Sequence, residues 1–207
     1  MTKNFSMYGL PEEVIFCSKC VMSNQRPKSV VEFKSDTNQK SGLNIDSNTS
    51  VCDACNYNET KKNIDWKKRE DELIQLLDKF RKPNGYDCVV PGSGGKDSAY
   101  TAHILKYKYG MNPITITWSP LQYTKIGKYN FDALINSGIS NFLYTPNGKL
   151  QKKLARLCFE ELGDAFHVFV LGQVNFPFHM ALKLNISLVF YGENGELEYA
   201  GDPKFKD

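Results

Sequence analysis

Residues 89 to 100 read "VVPGSGGKDSAY", which sets Ser93, Gly94, Gly95, Lys96, Asp97 and Ser98 between an apolar run and a helical pattern. Glycine lacks the Cβ that would hold an anion away from backbone N–H groups, so such a joint can gather donors round a phosphate. A helix starting there adds the partial positive charge of its N-terminus. Lys96 brings a mobile full charge, Ser93 and Ser98 bring hydroxyls, and Asp97 suits either a helix cap or Mg²⁺. These types in this order point to a phosphate cradle, with Lys96 and Asp97 as the candidate catalytic residues. A β-branched residue at Gly95 would fill the space the phosphate needs and resist a positive φ. A Gly/Ser turn with an aspartate cap is the plain alternative; it accounts for "SGG" but not for the whole hexapeptide. Neither the Walker spacing Gly-x-x-x-x-Gly-Lys-Ser/Thr nor the dinucleotide Gly-x-Gly-x-x-Gly is present.

The second group is Cys17, Cys20, Cys52 and Cys55, arranged as "CSKC" and "CDAC". Two tight turns that each offer two thiolates suit tetrahedral Zn²⁺. Two disulfides or a redox pair are the competitors. A redox motif needs one Cys-x-x-Cys, and a reducing compartment opposes disulfides, so the spacing predicts a structural zinc site. Cys88 falls inside a strand pattern, and Cys158 among Leu154, Leu157 and Leu162 of a helical one; both read as inert core thiols. His103, His167 and His179 have no partner at metal-ligand spacing and read as structural.

The elements that must position these groups follow from pattern. Between the cysteine pairs lies "SVVEFKSDTNQKSGLNIDSNTS", which reads as a hairpin with a long exposed loop. "DWKKREDELIQLLDKFRKPNG" spaces Trp66, Leu73, Leu76, Leu77 and Phe80 as a helix stopped by Pro83 and Gly85. From Tyr86 onward strands and helices alternate. "YDCVVP", "NPITITW", "ISNFLYT" and "ISLVFYG" read as strands, and "KDSAYTAHILKYKYG", "GKYNFDALINSG", "GKLQKKLARLCFEELG" and "PFHMALKLN" as helices. Such alternation builds an α/β fold, a parallel sheet with helices on both faces and sites at the carboxyl ends of its strands. The expected organisation is a four-cysteine zinc module over 1–62, a connector helix over 63–85, and the phosphate-loop domain over 86–207.

The bulk numbers bound the function. Hydrophobic residues make up 41% of the 207, enough to disfavour disorder. The 26 basic and 23 acidic residues leave +3, a near-balance that argues against a nucleic-acid partner. No apolar run approaches the ~20 residues that span a bilayer, and the N-terminus lacks a signal-peptide pattern. A soluble, cytoplasmic protein with no membrane partner is expected.

"SGGKDS" resembles the signature of the PP-loop ATP pyrophosphatases, which are adenine-nucleotide α-hydrolase-like in fold. The resemblance implies that the loop grips the pyrophosphate leaving group of ATP, used with Mg²⁺, and that AMP passes to a substrate oxygen. Thr117 and Trp118 end the second strand, where a base could lie against side chains, although Trp118 is equally readable as core. "LGQVN", with Gly172 and Gln173, resembles a segment such enzymes place beside the nucleotide. "FYGENGE" sets Gly192, Glu193 and Asn194 past a strand end, where polar residues can face a ligand; a plain loop is the alternative for both segments.

Across nearly the whole chain, "CSKCVMSNQRP", "CDAC", "PGSGGKDSAY", "HILKYKYGMNP", "NFLYTPNGK", "GQVNF" and "FYGENGE" occur in the order found in the N-acetyl sugar amidotransferases of bacterial surface-glycan pathways. This resemblance implies that ATP activates the acetamido group of an N-acetylated, nucleotide-linked sugar, which becomes an acetamidino group. Ammonia would come from a separate glutaminase subunit, since the chain shows no Cys–His glutaminase signature. Two departures stand out: Gly92 replaces a bulkier apolar residue, and family members usually continue beyond "YAGDPKFKD", so a fragment or short form is expected. A tRNA-thiolating PP-loop enzyme is the runner-up, opposed by the near-balanced charge and by Cys158 being the one cysteine after the loop. A non-catalytic nucleotide-binding scaffold is the third reading.

Overall fold

The computed structural model describes residues 10–26 and 42–193. Most of the expected hairpin loop between the cysteine pairs, and Asn194, lie outside the described residues. Two compact units are present, one within residues 10–66 and the other Lys67–Glu193.

The first unit is built round its cysteines. An antiparallel bridge joins Phe16 to Ser23 and another joins Ile45 to Cys52. Cys17 and Cys20 fall inside the first of these turns, where the Cys17 N–H donates to the Met22 carbonyl at 2.8 Å. After Cys52 the chain enters helix α1, Asp53–Thr60, and then a 3₁₀ turn, Lys61–Asn63. The described core is small: Cys17, Leu43, Val51 and Cys52 are its buried members. The few apolar side chains buried among the described residues give little hydrophobic stabilisation, the usual circumstance in which a metal or a disulfide holds a module together.

The second unit runs α2 (Trp66–Phe80), β1 (Cys88–Pro91), α3 (Lys96–Tyr107), β2 (Pro113–Trp118), α4 (Lys125–Asn136), β3 (Ser140–Tyr144), α5 (Gly148–Leu162) and α6 (His167–Lys183). The strands form an open parallel sheet in the order β1-β2-β3, with Val89 beside Ile114 and Ile116 beside Phe142. Side chains alternate across a strand, so each strand feeds two cores. Cys88 and Val90 join Leu77, Ala102, Leu105 and Leu134 on the face covered by α2, α3 and α4. Val89, Ile114 and Ile116 join Met180 and Ala181 of α6 on the other face.

Several expectations change in detail. "ISLVFYG" is not a full strand: it meets β1 through one parallel bridge, Val89 to Val189. The Val89 N–H donates to the Leu188 carbonyl at 2.9 Å and the Phe190 N–H to the Val89 carbonyl at 2.8 Å. This segment lies on the side of β1 away from β2, so the sheet's chain order reverses at β1. Helix α6 begins ten residues before "PFHMALKLN", at His167, and carries Pro177 inside it. The expected connector helix belongs to the sheet unit, with Leu77 fully buried in its core and Leu73 and Phe80 packed against it. Cys158 is only partly buried, and Leu154, Leu157 and Leu162 around it face solvent; α5 instead buries Gln151 and Ala155. No helix among the described residues is long and apolar enough to cross a membrane.

Candidate functional site

The loop from Gly92 to Ser98 leaves β1 where the chain order of the sheet reverses, the position at which open α/β sheets form a crevice. Its shape rests on three glycines with different duties. A Cβ on Gly92 would stand 2.9 Å from the Ser98 Cβ, so a bulkier residue at this position would displace Ser98. Gly94 takes φ +87° and would put a Cβ 2.7 Å from the Phe131 backbone of α4. Gly95 is the N-cap of α3 with φ −66°, and nothing lies within 4 Å of where its Cβ would be. The positive φ expected at Gly95 therefore belongs to Gly94, and Gly95 contributes open space. In contrast to α4 and α5, whose first turns are capped by Thr124 and Asn147, α3 starts with no side-chain cap. Its leading N–H groups remain available to an anion.

The charged groups sit at the mouth of this turn. The Lys96 ammonium donates to both Asp97 carboxylate oxygens, at 2.6 and 2.8 Å, and both side chains are exposed. The Ser98 hydroxyl donates to the Gly95 carbonyl at 3.2 Å. Ser93 is exposed beside them. Gly192 backs onto the same turn, since a Cβ there would lie 2.9 Å from the Asp97 carbonyl carbon and 3.0 Å from the Ser98 nitrogen. Glu193 follows it at the surface.

Thr117 has a different place from the one its sequence position suggested. It is 1% exposed, too deep to lie along a base, and its hydroxyl donates to the Gly92 carbonyl. Asn141 of β3 donates to the same hydroxyl at 2.8 Å and to Thr115 at 2.9 Å. With the Gly92 N–H on the Ile116 carbonyl at 3.0 Å, these bonds tie the loop's entry to the sheet. Asn141 was not singled out from sequence; the signal lay in its register, opposite Thr115 and two residues before Leu143, the partner of Thr117 on the next strand.

Trp118 projects to the opposite face of the sheet and joins Tyr144 and Phe176, with ring centroids 5.0 and 5.5 Å away. Gly172 is a helical residue of α6, not part of a loop, and any Cβ there would collide with the Trp118 indole. Gln173 follows on the exposed side of α6. The structure thus brings Ser93 to Ser98 together with Thr117 and Gly192, and separately pairs Trp118 with Gly172.

In the first unit the four cysteine sulfurs of Cys17, Cys20, Cys52 and Cys55 all lie within 4.8 Å of one another. The Cys17 and Cys55 sulfurs are 3.9 Å apart and those of Cys20 and Cys52 3.7 Å. Tetrahedral ligands about 2.3 Å from a zinc ion would stand roughly 3.8 Å from one another. The thiols could therefore hold a metal ion such as zinc. Burial pushes the Cys17 thiol up, but N–H groups of Cys52, Lys19 and Cys20 outweigh it and bring it down to about 6. Cys55 goes the other way, to about 12, chiefly through its hydrogen bond with the Cys20 thiol and then burial. Burial also raises Cys52. One thiolate is favoured in this cluster, and further ones need a cation to offset their mutual repulsion. Cys88 is wholly buried and its thiol is pushed up by burial, as suits a core residue.

No protein-family model and no curated protein matches the chain.

Proposed function

We propose that the second unit is an ATP-cleaving enzyme of the PP-loop type, and that the chain is an N-acetyl sugar amidotransferase. The uncapped, Cβ-free start of α3 at the carboxyl end of β1 is the observation that carries the phosphate reading. The motif "SGGKDS" favours pyrophosphate as the group held there.

In this reading the backbone N–H groups round Gly95 and the Ser93 and Ser98 hydroxyls receive the β and γ phosphates. Lys96 turns from Asp97 to the leaving pyrophosphate, a short movement for an exposed side chain. A carboxylate beside a polyphosphate is repelled by it, so Asp97 is the residue at hand to hold Mg²⁺, which would supply charge neutralisation. The acetamido carbonyl oxygen of the sugar attacks the α-phosphorus, and the bond to the bridging oxygen breaks to release pyrophosphate. Ammonia then adds at the activated carbon, and AMP leaves with the former carbonyl oxygen, giving the acetamidino sugar. Donors already aimed at the departing pyrophosphate stabilise charge as it develops. Ammonia is expected from a separate glutaminase subunit. Cys17, Cys20, Cys52 and Cys55 would hold Zn²⁺ in a structural role.

The test is incubation with ATP, Mg²⁺, ammonium and a panel of N-acetylated nucleotide sugars. Expected products are AMP, pyrophosphate and a sugar that has exchanged one oxygen for NH by mass spectrometry. Release of ADP and phosphate would overturn the PP-loop reading. AMP formation with every sugar unchanged would remove the sugar and leave the ATP chemistry. Tight ATP binding without turnover would identify a scaffold.

A further inference from the structure

Helix α5 leaves an apolar row uncovered. It turns Gln151 and Ala155 inward, while Leu150, Leu154 and Leu157 on its flank are 57, 37 and 44% exposed. Steps of four and three residues set these leucines in one line along the helix, the spacing of a helix-pairing seam. Beside the row a cavity of about 400 Å³ opens between α5 and α6, with Val168 and Leu171 on its far side. A contiguous exposed apolar surface of this kind marks contact with another molecule.

The charges along α5 indicate which molecule. Its first half carries Lys149, Lys152, Lys153 and Arg156, and its end carries Glu160 and Glu161, all exposed. This order runs against the helix dipole, which favours anions near the N-terminus and cations near the C-terminus. Arg156 pairs with Glu160 at 2.6 Å within the helix, again in the less favourable order for such a pair. A helix of the same sequence running the other way presents the opposite order of charge and the opposite dipole at every level. An anionic lipid surface fits less well, because Glu160 and Glu161 would meet like charge.

We propose that α5 is the interface to a second copy of this chain, the two α5 helices packed antiparallel across a two-fold axis. In such a pair Leu154 of one copy meets the partner's Leu157, and Lys153, beside the seam, faces the partner's Glu160. The axis repeats both contacts, as a self-complementary interface requires. Neither ATP nor a sugar takes part, so the interface stands whether or not the phosphate loop binds ATP.

The test is sedimentation of the full chain over a range of concentrations, with a phosphine reductant present so that the partly buried Cys158 cannot crosslink. A reversible dimer is expected. Lys153→Glu and Glu160→Lys each turn two attractive contacts into repulsive ones, and each should weaken the dimer about tenfold. Mixed together, these two variants should pair with each other, since every such contact between them is again of opposite sign. Leu154→Asp, which sets a charge in the seam, should leave only monomer. Lys153 and Glu160 are exposed, so the charge variants should keep the wild-type circular dichroism and melting temperature. A chain that stays monomeric into the high micromolar range overturns the proposal and leaves the row to another protein or to residues outside those described. A dimer unmoved by Leu154→Asp overturns it, as does a mixture of the two charge variants that associates no better than either alone.

Discussion

At the scale of single residues, Gly94 and Gly95 are neighbours under opposite constraints. Gly94 combines φ +87° with a neighbouring backbone 2.7 Å from any Cβ, while Gly95 has neither restriction. Gly94→Ala should cost roughly 1–3 kcal/mol or more, since backbone strain and collision act together. Gly95→Ala should leave the denaturation midpoint nearly unchanged and weaken ATP, because its methyl enters the space over the helix start. Denaturant titration and ATP titration of both variants check this; equal stability losses would contradict it. Lys96 is exposed and touches no core, so Lys96→Ala should fold normally and slow AMP formation by ~10²–10³, with ATP affinity reduced less. Single-turnover release of AMP reads the first quantity directly, and a wild-type rate would show that the lysine does not act on the leaving group. The loop was legible in the sequence because a strand-to-helix turn is local. The bond from Thr117 to Gly92 spans 25 residues and depends on which strands are neighbours, which no local pattern states.

At the scale of elements, α2 grips the far end of α3. Glu70 pairs with Lys108 at 2.5 Å and accepts from the Tyr109 hydroxyl at 3.0 Å. Arg81 donates to the carbonyls of Gly110 and Tyr109 at 2.7 and 3.0 Å, where that helix has ended. The Lys108 hydrogen bond, then that of Tyr109, holds the Glu70 carboxyl below its ordinary 4.5. A carboxyl whose pKa is lower folded than unfolded stabilises the fold above the unfolded value and loses that contribution as pH falls through the folded one. Glu70→Gln should therefore melt slightly below wild type at neutral pH, with the gap closing in strong acid. A gap independent of pH would rule out the ion pair as its source. Helix positions were legible from period and stop signals, as with Pro83 and Gly85 after α2. Helix facing was less so. The leucine stripe of α5 suggested the buried side, yet Gln151 and Ala155 are inside, because the facing is set by α6 and the cavity between them. Pro177 suggested a helix start, and the continuation through it to His167 follows from packing on β1 and β2.

At the scale of the molecule, the two units differ in what can hold them together. The sheet unit has two extended clusters of buried apolar side chains, and the described residues of the cysteine unit have one small cluster that includes two of its own candidate ligands. Purified protein should contain about one Zn²⁺ per chain, and Cys52→Ser should release it. Chelation should lower a calorimetric transition belonging to the cysteine unit and leave the sheet unit's transition in place. Absence of metal by elemental analysis of protein prepared without chelators would refute the zinc assignment. This organisation was legible because a Cys-x-x-Cys pair is a local mark of a cluster. The sulfur positions were not, since they depend on turns that bring residues 17 and 52 together.

Strand β2 serves both faces of its sheet at once. Thr117 secures the entry to the Gly92–Ser98 loop on one side, and Trp118 packs against α6 on the other. Because neighbouring side chains of a strand point in opposite directions, loss or gain of a single residue between Pro113 and Thr117 would exchange the two assignments together. The threonine hydroxyl would meet the aromatic cluster, and the indole would be driven toward α4. Point substitutions along this strand can be compensated one face at a time, whereas a change of frame cannot. Its length is therefore under tighter restriction than its composition, and insertions in this unit should be tolerated in the turns after Trp118 before any within "PITITW".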